Sequence, residues 1–174
     1  MGKFRQSLAP ILQSAGWWGK ADLLDPAGNL VVDAQLGSAH RLNTIYRSNL
    51  QSAYSVGQWE RIEEDKDRAP WLMYDAVDDH RTRAEHAKLD NTVLPVSDPF
   101  WRQFMPPNGY NCRCGVIQLT DADLERLGLK PSKQPAIETV KWKNPRTGEI
   151  EGVPVAVDPG WDHNPGLDRL GHLQ

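Results

Sequence analysis

From Ser38 to about Asp67 the sequence keeps one helical period, and this run constrains the fold more than any other stretch. Leu42, Ile45, Tyr46, Leu50, Ala53, Tyr54 and Val56 recur at spacings that place them on a helical face. Ser38 has the short hydroxyl side chain that caps a helix start by accepting a backbone N–H. The second half, "QWERIEEDKDR", is charged on most sides, as expected of a solvated helix end. It must stop before Pro70, because a residue preceding proline is steered out of helical geometry.

Around this helix the elements are short. Phe4, Leu8, Ile11, Leu12 and Ala15 form one apolar helical face over residues 3 to 15, with Pro10 favouring a kink or a late start. The segment "GWWGKADLLDPAGNLVVDAQLG" reads as irregular packing, with "NLVVD" able to pair as a strand. "WLMYDAV", "TVLPV" and "GVIQL" read as strands, and "SDPFWRQFM" as one helical turn capped by Ser97 or Asp98 with Pro99 at its first position. "TDADLERLGL" carries Thr120 as cap, Asp123 in the capping-box position and Gly128 as the stop. After a linker at 130 to 136, two alternating strands flank "NPRTG", with Val140 and Trp142 opposite Ile150 or Val153. The tail "PGWDHNPGLDRLGHLQ" is turn-rich, with Trp161 as its anchor.

These patterns predict an α+β fold: a long central helix packed on a small, mostly antiparallel sheet, with long irregular loops and a C-terminal β-hairpin. The expected organisation is an N-terminal helix and packing segment at 1–37, a core at 38–129, and a hairpin and tail at 130–174 packed on that core. A chain of 174 residues buries enough surface to need no disulfide staples. Its 13 prolines and 14 glycines account for the long loops. The 20 basic and 23 acidic residues leave a net charge of -3, which gives no overall attraction to DNA or anionic lipid. Any nucleic-acid contact would be local. No run is long and apolar enough for a membrane span, and the opening lacks a signal-peptide core, so a cytosolic, reducing environment is expected.

Ligand chemistry concentrates in two polar loops, "DDHRTRAEH" at 78 to 86 and "PPNGYNCRCG" at 106 to 115, which holds both cysteines. Zinc takes four ligands from thiolate, imidazole and carboxylate, often a pair from each of two loops. His86, Cys112 and Cys114 supply three, and His80, Asp79 or water could be the fourth. His80 and His86 are six apart, so both can ligate one ion only if the segment bends. A disulfide across Cys-x-Cys would close a small, strained ring. The bland alternative packs both cysteines as small hydrophobes beside solvated histidines. Glu85 next to His86 suggests a general base, but the deaminase and zincin signatures are missing, as are phosphate-binding glycine loops and a nucleophile elbow. Arg81, Arg83, Arg102 and Arg113 could form a local basic patch for phosphate, but are expected instead to pair with Asp78, Asp79, Glu85 and Asp90, and the seven tryptophans to serve as core and interface anchors.

In order, "GWWG", "RLNTIYRSNLQSAYSVGQWERI", "PWLMYDAVDDHRTRAEHAKLDN", "DPFWRQFMPPNGYNCRCGV" and "VDPGWDHNPG" resemble the Mu F-like minor head proteins of tailed phages and prophages, the head morphogenesis family. The resemblance runs from about Gly16 to Gly166. It implies a noncatalytic structural protein acting in head assembly and DNA packaging or delivery near the portal. Its partners would be the portal and other head proteins, with at most a local DNA contact, no membrane and no small-molecule substrate. It would occupy the host cytoplasm during assembly and then the virion head. Family members often carry a Cys-x-x-Cys where this chain has Arg83 and His86. One structural zinc on His86, Cys112 and Cys114, with His80 as substitute fourth ligand, is what the resemblance implies here. The family's glycine at Asn91 becomes a residue that also tolerates positive φ. Relatives fused to toxin domains keep an alternative open: an effector or toxin-associated enzyme, whether metal-dependent hydrolase, nuclease or ADP-ribosyltransferase-like.

Overall fold

A computed structural model describes residues 2–25, 28–145 and 147–171. Arg146 in the expected hairpin turn and the last three residues of the tail lie outside them. The fold is α+β, with antiparallel strand pairing and a 27-residue helix at its centre. Chain contacts divide it into two units, Met1–Leu50 with Lys143–Glu151, and Gln51–Trp142 with Gly152–Gln174.

The first unit begins with helix α1 (Gly2–Ser14), which continues through Pro10 and buries none of its residues. Strands β1 (Lys20–Leu24) and β2 (Leu30–Gln35) follow as an antiparallel hairpin. The partner of the "LVVD" strand therefore comes from the stretch read as irregular. A register shift between Ala21 and Leu23 hides it, because a bulge breaks the two-residue alternation on which strand recognition depends. At that bulge Asp33 takes φ 58° and donates its N–H to the Asp22 carboxylate at 2.8 Å. Helix α2 (Ala39–Asp65) starts as its sequence predicts: Ser38 Oγ accepts from the Arg41 N–H at 3.1 Å.

The second unit is built on a three-stranded sheet. Strand β3 (Trp71–Asp75) lies between β4 (Val93–Pro95) and β5 (Gly115–Leu119), antiparallel to both. Alternation along β3 sends Leu72 and Tyr74 into one face, where both are fully buried. That face packs against Trp59 and Ile62 of α2 and against Phe100, Trp101, Phe104 and Met105. A smaller cluster joins Val93 and Leu119 to Leu124 of helix α5 (Asp121–Leu127). The Thr120–Asp123 capping box of α5 is formed reciprocally, and Gly128 ends the helix in the left-handed conformation.

Three local expectations shift. Helix α4 (Trp101–Phe104) begins two residues later than Pro99, with the Asp98 carboxylate accepting from the Phe100 N–H at 2.8 Å. The polar loop after β3 contains one helical turn, α3 (Ala84–Ala87), which buries His86. Helix α6 (Pro165–Gly171) replaces part of the turn-rich tail, with Asn164 Oδ1 accepting from Gly166 N and Pro165 in first position. Strands β6 (Thr139–Lys143) and β7 (Ile150–Pro154) form the C-terminal two-stranded sheet. No described helix is long and apolar enough to cross a membrane.

Candidate metal centre

Both loops that meet at the site hang from the three-stranded sheet. The first leaves β3 after Asp75 and returns through Asn91, whose φ of 58° makes the turn and whose N–H donates to Tyr74 O at 2.9 Å. Asp90 closes it from within by accepting from the Ala76 N–H at 2.8 Å. Helix α3 then turns the His86 ring inward, leaving it 3% exposed.

The second loop runs from α4 to β5. Both its ends are bound to α2: Ser55 Oγ donates to Pro106 O at 2.6 Å near the start, and Gln51 Nε2 donates to Cys112 O near the finish. Asn108, fully buried, accepts from the Tyr74 hydroxyl at 3.0 Å. The Cys112 N–H closes a turn onto Gly109 O, and Asn111 takes φ 58°. The outcome is two sulfurs facing one imidazole, with His86 Nδ1 3.7 Å from Cys112 Sγ and 3.5 Å from Cys114 Sγ.

These ligand atoms all lie within 4.8 Å of one another. With Zn–S bonds near 2.3 Å and Zn–N bonds near 2.0–2.1 Å, a tetrahedral ion separates sulfur from nitrogen by about 3.6 Å. The observed spacings match that edge without rearrangement. Two thiolates and an imidazole also suit zinc over magnesium or calcium, which require oxygen. The electrostatics point the same way. A hydrogen bond from Cys112, followed by His86 and Tyr74, holds the Cys114 thiol well below its ordinary range, against the effect of burial. Cys112 is pushed up, first by the same sulfur pairing and then by burial. Burial, then the nearby cysteine sulfurs, pushes Tyr74 up and keeps it a hydroxyl donor.

His80, the other histidine of the predicted set, sits exposed in the turn before α3 and is not part of this group. Asp79 is engaged elsewhere: both its oxygens accept from the Arg113 guanidinium, at 2.6 and 2.8 Å, which holds its carboxyl well below the usual range. Glu85 pairs with Lys88 at 2.7 Å. It lines a cleft with Leu89 and Ile137, whereas His86 lines another with the cysteines.

Asp158 is the site residue that the sequence concealed. Its Oδ2 accepts from Arg83 Nη2 at 3.0 Å and from the Tyr110 N–H at 3.2 Å, while its own N–H donates to Asn108 O. Arg83 also donates to Tyr110 O at 3.1 Å, and Trp161 meets Tyr110 edge-on at 5.2 Å. A 75-residue separation gives such a pair no local signature. The latch leaves no room at Gly109, where a Cβ would overlap both the Asp158 carboxylate and the Arg83 guanidinium. Gly109→Ala is expected to cost about 1–3 kcal/mol in urea unfolding through the broken latch, whereas Asn111→Gly, at a left-handed position, is near neutral.

The fold and site define a small α+β protein whose loops converge on a compact His/Cys donor set. The chain belongs to the phage Mu protein F-like family, matching the family described as "Phage Mu protein F like protein" over residues 7–117. It is 38% identical to "Putative capsid assembly protein F" of Escherichia phage Mu, over 97% of this chain and 42% of that protein. It is 35% identical to "Mu-like prophage FluMu F protein" of Haemophilus influenzae, over 97% of this chain and 43% of that one. The chain thus spans less than half the length of these relatives. No solved structure matches it significantly.

Proposed function

We propose that this chain is a noncatalytic head morphogenesis protein of a tailed phage or prophage, in which one structural zinc fastens the two loops of the second unit. The carrying observation is its 38% identity, across almost its whole length, to a protein named for capsid assembly. In this reading it acts in the host cytoplasm during assembly and remains in the virion head. Its partners are the portal and other head proteins, with DNA touched at most locally during packaging or delivery. His86, Cys112 and Cys114 hold the ion, which supplies a crosslink between chain segments rather than a reaction centre. His80 would have to swing out of its exposed turn to become the fourth ligand.

The hydrolase alternative needs a base beside the ion. Glu85 pairs with Lys88 instead and lines a different cleft from the donors, since adjacent helical residues point in different directions. Glu85→Gln is therefore expected to leave metal content and stability unchanged and to abolish no nuclease activity. The assembly role is tested by infection or prophage induction with a tagged chain. Recovery of the tag with portal-containing heads supports it, and a tag that stays with free host protein throughout assembly refutes it. Metal analysis is expected to find about one zinc per chain, and a metal-free protein of unchanged stability would refute the zinc.

A further inference from the structure

We propose that the metal held by His86, Cys112 and Cys114 keeps one position the protein does not fill, and that this position takes an oxyanion from an arginine-walled cleft. The inference rests on the metal reading above and adds a ligand class to the same site.

Three observations carry it. First, the described residues bring only three donors together, and the obvious fourth candidates are committed or absent. Asp79 is bound on both oxygens by Arg113, Asp158 holds Arg83 and Tyr110, and His80 is exposed outside the group. Arg83, one helical turn before His86, is a permanent cation and cannot ligate. A zinc ion with three protein donors completes its shell with an exogenous ligand.

Second, the donors open on a cleft of about 260 Å³ lined by all three of them together with Arg81, Arg83 and Arg113. Its described lining contains three arginines and no acidic residue. A divalent ion with two thiolates and a neutral imidazole is formally uncharged, so three arginines face only the two carboxylates of Asp79 and Asp158, and one positive charge is left over.

Third, the guanidinium groups retain donors. Each carries five N–H bonds, and the contacts to Asp79, Asp158 and Tyr110 use only some of those on Arg113 and Arg83. Arg81 meets Asp79 only at 3.7 Å and is largely exposed. A phosphate or carboxylate group would bind the ion through one oxygen and the arginines through the others.

The test uses the full chain loaded with cobalt(II), whose visible d–d absorption reports on its coordination. Inorganic phosphate and acetate are titrated separately at constant ionic strength. The expected result is a saturable spectral change, with the tighter of the two anions identifying phosphate or carboxylate as the class. Arg81→Gln should bind cobalt in the same amount and raise the anion's apparent dissociation constant about tenfold. A cobalt spectrum that neither anion moves would overturn the inference and leave the metal site standing. A response equally tight in Arg81→Gln and Arg113→Gln would also overturn it, by assigning the anion to the metal alone. Failure to bind cobalt would instead remove the metal reading on which it rests.

Discussion

Replacing Cys112 and Cys114 by serine is expected to abolish zinc binding and to lower stability by about 3–5 kcal/mol. For a chain of this size that is a fall of roughly 6–20 °C in melting temperature. Zinc contributes about 10–16 kcal/mol in finger peptides that have no other core. The second unit has its own core of Trp59, Leu72, Tyr74, Phe100, Trp101 and Met105, so an ion would add only a part of that here. The competing account treats the sulfurs as small packed hydrophobes. Serine would then cost about 1–2 kcal/mol per buried site, with or without a chelator. The two accounts separate when the native chain is melted with and without chelator. A structural ion requires the chelated native chain to fall to the level of the double variant, whereas packed thiols require no chelator effect. Acid gives the same discrimination. Both sulfurs must be thiolate and the ring neutral to ligate, so a bound metal's contribution would be full near neutrality and would be lost as falling pH protonates the ligands.

What the sequence disclosed follows from how local each interaction is. The start of α2 depends on Ser38 and Arg41, and the start of α5 on Thr120 and Asp123, so each cap lies within three residues of its partner and was readable. The donors were readable by type, because both cysteines lie in "CRC" and the imidazole in a separate polar loop. Their convergence was not, since it depends on β3 and β5 pairing from Trp71↔Leu119 to Asp75↔Gly115. That register brings the loop leaving β3 to the loop entering β5, and so His86 to the sulfurs. Residues that act only through distant contacts gave no signal. Asp158 is separated from Arg83 by 75 positions and Ser55 from Pro106 by 51. Arg83 is expected to pair with a nearby acid, but Glu85 is taken locally by Lys88 and Asp79 by Arg113, 34 positions away. Strand β1 escaped for a different reason. Its bulge removes the alternation by which a half-exposed strand is recognised.

Trp101→Ala is expected to destabilise the chain by about 3–5 kcal/mol and to loosen the metal site without touching a ligand. Trp101 is 1% exposed, and its indole N–H donates to Pro95 O at 3.0 Å, tying α4 to β4. Its ring stands edge-on to Phe100 at 5.0 Å, and its own carbonyl accepts from the buried Asn164, which caps α6. Alanine would leave a cavity among Trp59, Val96, Phe100 and Phe104 and an unpaired carbonyl at Pro95. Helix α4 leads directly into Pro106, where the cysteine loop begins, so a displaced α4 moves the end of that loop that Ser55 fixes. The sulfurs would then be held less firmly than His86, whose loop is bound independently to β3 through Asp90 and Asn91. Zinc dissociation measured with a competing chromophoric chelator should accelerate at least tenfold in Trp101→Ala. In Leu124→Ala, which removes a core side chain on the other face of the sheet, it should remain near the native rate. Equal dissociation rates in the two variants would mean that general destabilisation, rather than the path from α4 through Pro106, governs how tightly the ion is held.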